Sequence, residues 1–243
     1  MTSKALFFLL VLFCASSATS QAQESRWKSY ADLSFSGSAN QFAVASGWSF
    51  LYATGKKRKF NIGLGLRYTG AFSSNTEFTT APAELTSGQQ GPQVLFSDDT
   101  PENIDTFMVS RAQFHAVNLA IYLQYDFTPK FQLGFNIDVA GFTFGPKITG
   151  SFKSLLSDNV GLDNVGAKPT PYNLLLVSDN DIGTLNSELY ARYFFHKKWA
   201  VKGGATFLFT EYTTDIKPAF DNDRFRNKSL QFMLGITYLP FAK

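Results

Sequence analysis

The stretch Leu230-Gln231-Phe232-Met233-Leu234-Gly235-Ile236-Thr237-Tyr238-Leu239-Pro240-Phe241 decides how this chain reads. Side chains of an extended segment alternate between two faces with a period of two. Leu230, Phe232, Leu234, Ile236 and Tyr238 therefore share one face, and Gln231, Met233, Gly235 and Thr237 share the other. A single segment of this kind also fits a soluble sheet. Here the pattern recurs about eight times, which predicts an all-β, eight-stranded antiparallel up-and-down transmembrane β-barrel with long extracellular loops. Its apolar face would meet lipid and its small, polar face would line the interior.

The other seven segments lie upstream. The first, near Lys28 to Ser36, is weakly patterned, with Tyr30 and Leu33 as its markers. The second runs from about Asn40 to Ala53 and sets Phe42, Val44, Trp48, Phe50 and Tyr52 against Ala43, Ala45, Gly47 and Ser49. The third, Lys59 to Phe72, has the cleanest alternation: Phe60, Ile62, Leu64, Leu66 and Tyr68 against Asn61, Gly63, Gly65, Arg67 and Thr69. Four more are read at Phe114 to Phe127, Lys130 to Phe144, Thr184 to His196 and Trp199 to Tyr212. Their outward markers include Ile121, Ile137, Leu189 and Phe207.

The connections differ in length. Thr54 to Arg58, Thr128-Pro129 and Lys197-Lys198 read as tight turns, whereas Ser73 to Gln113, Gly145 to Gly183 and Thr213 to Asn227 read as long polar connections. Membrane barrels have short periplasmic turns and long outer loops, so an even strand number puts both termini in the periplasm. A compact soluble domain rarely carries two structureless loops of that size.

At the N-terminus, Lys4 precedes the apolar run Ala5 to Phe13, and Ser20-Gln21-Ala22 fits a small-x-small cleavage site. Residues 1–22 thus read as a secretory signal peptide, and 23–243 as a single barrel domain. The apolar run is shorter than the roughly 20 residues that a membrane helix needs. Cys14, the sole cysteine, would leave with the leader, so no disulfide or thiol ligand is expected. The 26 Phe and 10 Tyr are a heavy aromatic load, yet mean hydropathy is −0.08, as alternation in a membrane barrel produces. A net charge of +3 is too small to imply nucleic acid.

Five charged residues fall on the inward phase: Arg67, Asp138, Glu188, Arg192 and Lys202. An isolated buried charge is costly, and an eight-stranded barrel is only wide enough for its own side chains. These five are therefore expected to pair and fill the lumen as a polar network. Arg67, Asp138 and Glu188 are placed at mid-height, with Arg192 and Lys202 lower. An ion path is the functional alternative.

Other chemistry is thin. The chain has no nucleophile-elbow Gly-x-Ser-x-Gly, no metal-ligand His pair and no phosphate loop. Ser110, His115 and Glu211 are the members available for a lipid-modifying set at the outer rim, although no spacing ties them together. Asp98-Asp99, Asp179-Asn180-Asp181 and Asp221-Asn222-Asp223 offer oxygen ligands of the kind calcium takes, but Asx-rich turns form without metal. No catalytic residue, cofactor or metal is assigned. Lys56 to Lys59, Lys130, Lys197 and Lys198 crowd the short turns, where they would reach anionic headgroups or simply keep the turns soluble.

The leader, the eight alternating segments and the aromatic closing strand resemble small outer-membrane β-barrel proteins of Gram-negative bacteria. The Gln21-Ala22-Gln23 start and Gly63-Leu64-Gly65-Leu66-Arg67-Tyr68 are similar to barrels of the Bacteroidetes type. The resemblance implies insertion by the barrel-assembly machinery and contact with outer-membrane lipid and lipopolysaccharide. It implies no activity. The expected role is structural or surface-interactive, carried by two long extracellular loops with an unknown extracellular partner. A narrow, porin-like pore or carrier for small hydrophobic solutes is the runner-up, and a lipid A acyl-modifying enzyme is the less favoured third reading.

Overall fold

The computed structural model describes residues 26–88, 104–154, 161–176, 180–218 and 221–241. The leader expectation for 1–22 lies outside these residues, as do Asp98, Asp99 and Asp179.

Eleven strands and one helical turn, Ala83–Thr86, make up the described regular structure. The strands are β1 (Trp27–Gly37), β2 (Gln41–Thr54), β3 (Phe60–Thr80), β4 (Thr106–Asp126), β5 (Phe131–Phe144), β6 (Ile148–Lys153), β7 (Gly161–Pro169), β8 (Tyr172–Leu174), β9 (Leu185–Phe194), β10 (Trp199–Thr214) and β11 (Arg224–Tyr238). All their pairings are antiparallel and belong to one sheet.

Eight of these strands are ten residues or longer, and they match the eight alternating segments of the sequence. Hydrogen bonds lead from β1 to β2, β3, β4, β5, β9, β10 and β11, and from β11 back to β1. In β2 the residues Ala43, Ala45, Ser49, Leu51 and Ala53 are buried inside, while Phe42, Trp48 and Phe50 are exposed outside. The same alternation sorts Asn61, Arg67 and Thr69 from Ile62, Leu64 and Leu66 in β3.

Three strands occupy what the sequence presents as long polar connection, and this corrects the expectation of eight strands joined by structureless loops. β6, β7 and β8 lie between Gly145 and Gly183, β3 continues to Thr80, and β4 begins at Thr106. Apart from β8, which pairs with β5, these additions form a second circuit of pairings at one end of the first: β3 to β4, β6, β7, β10, β11 and back to β3. The β1–β2 hairpin turns at Gly37 to Gln41 and does not reach this circuit, and β6 and β7 stand where β5 and β9 stop.

The strands enter the second circuit by changing phase. In β3 the buried positions are odd from Asn61 through Ala71, with Gly70 buried beside them, and even from Thr76. In β4 they are odd at Phe107 and Val109 and even from Ala112. The pairing skips Asn75 and Ser110. Asn75 takes the left-handed conformation, φ 48°, which Asn tolerates better than most residues. The register is the same on both sides of this point, Ser74 pairing with Arg111 and Thr76 with Val109, so the ladder loses one pair and the two strands change face together.

The two circuits enclose different interiors. Within the second, Phe78, Phe107, Phe114, Phe152, Tyr212 and Phe225 form a buried aromatic core. Ring centroids lie 4.6 Å apart for Phe114–Tyr212 and 5.1 Å for Phe78–Tyr212. Such pairs add about 0.5–1.5 kcal/mol each beyond the area they bury. Within the first, the interior is mostly polar and charged.

Candidate functional site: a buried ion network

The inward faces of β1, β3, β5, β9 and β10 carry the charged residues of the first circuit. Arg67 of β3 donates from Nε (2.9 Å) and Nη2 (2.6 Å) to Asp138 Oδ1 of β5. Its Nη1 stands 3.3 Å from Glu188 Oε2 of β9 and also meets the Asn136 side-chain oxygen. Its Nη2 also donates to the Asn186 carbonyl. Asp138 further accepts bonds from Asn118 Nδ2 (2.7 Å) and the Asn186 backbone N–H (2.9 Å). Glu188 accepts from Lys202 Nζ and Asn136 Nδ2, each at 2.7 Å.

Asp32 of β1 completes the set. Arg192 Nη2 lies 3.1 Å from both of its carboxylate oxygens, Thr237 donates to it, and Lys202 Nζ approaches to 4.0 Å. Lys202 therefore joins two groups, Arg67–Asp138–Glu188 and Arg192–Asp32. The six charged residues comprise three cations and three carboxylates, and none is more than 8% exposed. Removing charges from water costs several kcal/mol each unless geometry and further hydrogen bonds offset it. Here the charges balance, and each carboxylate has neutral donors as well as cations.

Tyrosines pack around the cations. The Arg192 guanidinium sits 4.5 Å from the Tyr30 ring centre and 4.9 Å from that of Tyr190, and Lys202 Nζ lies 4.4 Å from Tyr190. Gly134 makes room for this layer, since a Cβ there would stand 2.3 Å from Tyr190 Cζ. Gln124 and Gln132 accept from Arg192 Nη1 at 2.7 and 3.3 Å and donate to the Tyr30 hydroxyl.

All five inward charges expected from the sequence, Arg67, Asp138, Glu188, Arg192 and Lys202, meet in this one network. Lys202 is not confined to a lower layer, because it reaches Glu188. Asp32 is the member that sequence reasoning missed. The alternation of Tyr30, Asp32 and Ser34 against Leu33 and Phe35 was the available signal.

The candidate rim set is not assembled. His115 lies on the outer side of β4, with Nδ1 2.7 Å from the Tyr68 hydroxyl and Nε2 2.6 Å from Gln113 Nε2. Its ring stacks on Phe144. Glu211 is on β10, fully buried, and binds Arg224 (2.8 and 3.0 Å) and Arg226 (2.8 Å). Ser110 is exposed at the β3–β4 irregularity. Among the described residues no three His, Cys, Asp or Glu side chains are grouped to hold a metal. Asp181 Oδ1 instead accepts from the Leu176 N–H, and Asp221 pairs with Lys217 at 3.0 Å.

No family model and no curated protein matches the chain. Among solved structures it is similar to Neisserial surface protein A, at 8% identity and TM-score 0.41, over 88% of this chain and 97% of that one. It is similar to the Yersinia pestis outer membrane protein Ail at 8% identity and TM-score 0.36, over 87% and 97%. The Ralstonia pickettii toluene transporter TbuX gives 10% identity and TM-score 0.31, over 89% and 79%. By name the three are a surface protein, an outer membrane protein and a toluene transporter. At such scores they discriminate nothing about this chain, and the functional reading rests on its own geometry.

Proposed function

We propose that the chain is an eight-stranded transmembrane barrel of a Gram-negative outer membrane, with both termini in the periplasm and a closed interior. Its role is structural or surface-interactive, and the second circuit of strands is the part presented outside the cell. One observation carries this reading: the outward face of every one of the eight long strands is apolar or aromatic and exposed. Phe232 is 88% exposed, Leu234 74%, Leu66 61% and Leu189 57%. Water-soluble surfaces rarely expose a contiguous apolar area beyond a few hundred Å², whereas a lipid-facing band of this kind with aromatic residues at its edges is what a membrane barrel requires. Trp27, Tyr52, Trp199 and Tyr238 supply such an edge near the tight turns.

The interior supports a structural over a conducting role. The ion network and the aromatic core lie in series, and each fills its own section. The three inward carboxylates are bound by cations and amides, which leaves them poorly suited to proton transfer. The balance against a lipid-modifying enzyme rests on Glu211 being held by two arginines while His115 is bonded on a different wall.

Expression in a Gram-negative host followed by membrane separation on a density gradient tests the proposal. The protein should co-sediment with outer-membrane markers and need detergent for extraction. Recovery in the soluble periplasmic fraction would overturn it. Lipid A acyl profiles unchanged by overexpression would keep the enzyme reading in third place.

A further inference from the structure

The end of the first circuit that carries the tight turns has a feature the ion network does not use. A cavity of about 830 Å³ opens there. Six cations line it, Lys28, Lys57, Arg58, Lys59, Lys130 and Lys197, against a single carboxylate, Asp126. They come from the start of β1 and from three separate turns, so the excess charge rings the mouth rather than following one segment. Asp126 is already engaged by Lys28. Lys28, Lys59 and Lys130 share the sequence phase of the buried Tyr30, Asn61 and Gln132, and all three line the cavity.

The contrast with the interior above is physical. There, three cations meet three carboxylates. Here, among the described residues, six cations and one carboxylate line a single concavity, an excess of five positive charges. Like charges held together repel and destabilise the compact state, while a concave wall of one sign focuses the field and attracts counter-ions. Arg58 adds to the cost, because it holds the left-handed backbone conformation at φ 50°, unusual for a side chain of its size. Beneath the rim, Gln132 lines the floor, its amide bonded to Arg192 and to the Tyr30 hydroxyl.

We infer that this mouth is a binding site for a multivalent phosphate-bearing anion. Lysine ammonium groups act on phosphate as point charges and need no single bidentate geometry, which suits a ring drawn from several turns. The phosphate has two possible sources: a soluble phosphorylated solute entering the mouth, or the headgroup of a neighbouring lipid. The site is defined by the turn end of the circuit, so it stands whichever side of a membrane that end faces.

Isothermal titration of the full chain in neutral detergent with inorganic tripolyphosphate tests the inference. Saturable binding at one equivalent is expected, weakening steeply with added salt as exposed ionic contacts do. The combined variant Lys28→Gln, Lys59→Gln and Lys130→Gln should lose affinity by at least about tenfold, equivalent to roughly 1.4 kcal/mol. Lys147→Gln with Lys217→Gln, at the other end, should bind as the parent does. Circular dichroism and gel mobility of unheated samples verify that each variant is folded. Absence of saturable binding, or equal binding by the folded triple variant, overturns the site. Repeating the titration in nanodiscs of phosphatidylcholine with and without phosphatidylglycerol identifies the source. Competition by the anionic lipid assigns the site to headgroups, and its absence assigns it to a soluble phosphate.

Discussion

Arg67 and Asp138, 71 positions apart in the chain, meet through two hydrogen bonds of 2.9 and 2.6 Å inside the circuit of strands, where neither is more than 2% exposed. The pair ties β3 to β5 across β4, and Glu188 extends it to β9. Because β3, β4 and β5 are consecutive neighbours, the contact reports that the sheet curls its inner face onto itself.

Breaking that pair from one side leaves a buried carboxylate without its cation. Arg67→Met should therefore cost about 3–5 kcal/mol, the range for removing one partner of a buried ion pair. Arg67→Lys keeps the charge and loses the planar fork, so its loss should be smaller but still measurable. Urea unfolding in lipid vesicles, followed by tryptophan fluorescence, measures both. A neutral Arg67→Met would mean that the network contributes nothing net to the folded state.

The outward belt gives a prediction of opposite origin. Leu64 and Phe207 are exposed on the outer face, 52% and 42% respectively. Arg at either position should destabilise the protein in a bilayer by about 2–4 kcal/mol if the site lies near the midplane. Gly63→Ala should fail for a different reason, since its Cβ would stand 1.9 Å from the Phe50 carbonyl oxygen. That clash does not depend on lipid. If Leu64→Arg and Phe207→Arg unfold at parental urea concentrations in vesicles, these side chains do not face lipid.

Conductance separates the closed reading from the pore. Single-channel recording in planar bilayers should show no stable open level for the parent protein. Arg67→Ala should stay silent as well, because the aromatic core of Phe78, Phe114 and Tyr212 still fills the second circuit. A steady parental conductance abolished by Arg67→Ala would make the interior an ion path and displace the structural role.

Orientation has its own test. A peptide tag inserted at Gly88, next to the helical turn Ala83–Thr86, should bind antibody on intact cells, and one at Lys57 should not. Added protease should likewise spare Lys56 to Lys59. Labelling at Lys57 alone would reverse the topology, while leaving the anion site at the turn end where it is.

The alternation of large apolar and small polar residues was legible in the eight long segments, because the two faces of a strand follow from backbone geometry within a few residues. It located all eight long strands, put Leu64, Ile121, Ile137 and Phe207 on the outer face, and turned Arg67, Asp138, Glu188, Arg192 and Lys202 inward. Period-two reasoning fails where the period breaks. The left-handed Asn75 and the skipped Ser110 shift the phase of β3 and β4, a further irregularity divides Gly150 from Phe152, and β8 is three residues long. The second circuit was therefore invisible as pattern, and its residues read as loop. Partners were equally hidden. Asp32 and Arg192 stand 160 positions apart, and the charge of one strand says nothing about which strand closure will bring beside it. The sequence by itself determined which face of each of the eight long strands turns inward wherever the period of two holds, because that is a local property. Only the tertiary structure decided which charges meet and where the interior turns from ionic to aromatic, because those depend on register around the whole circuit.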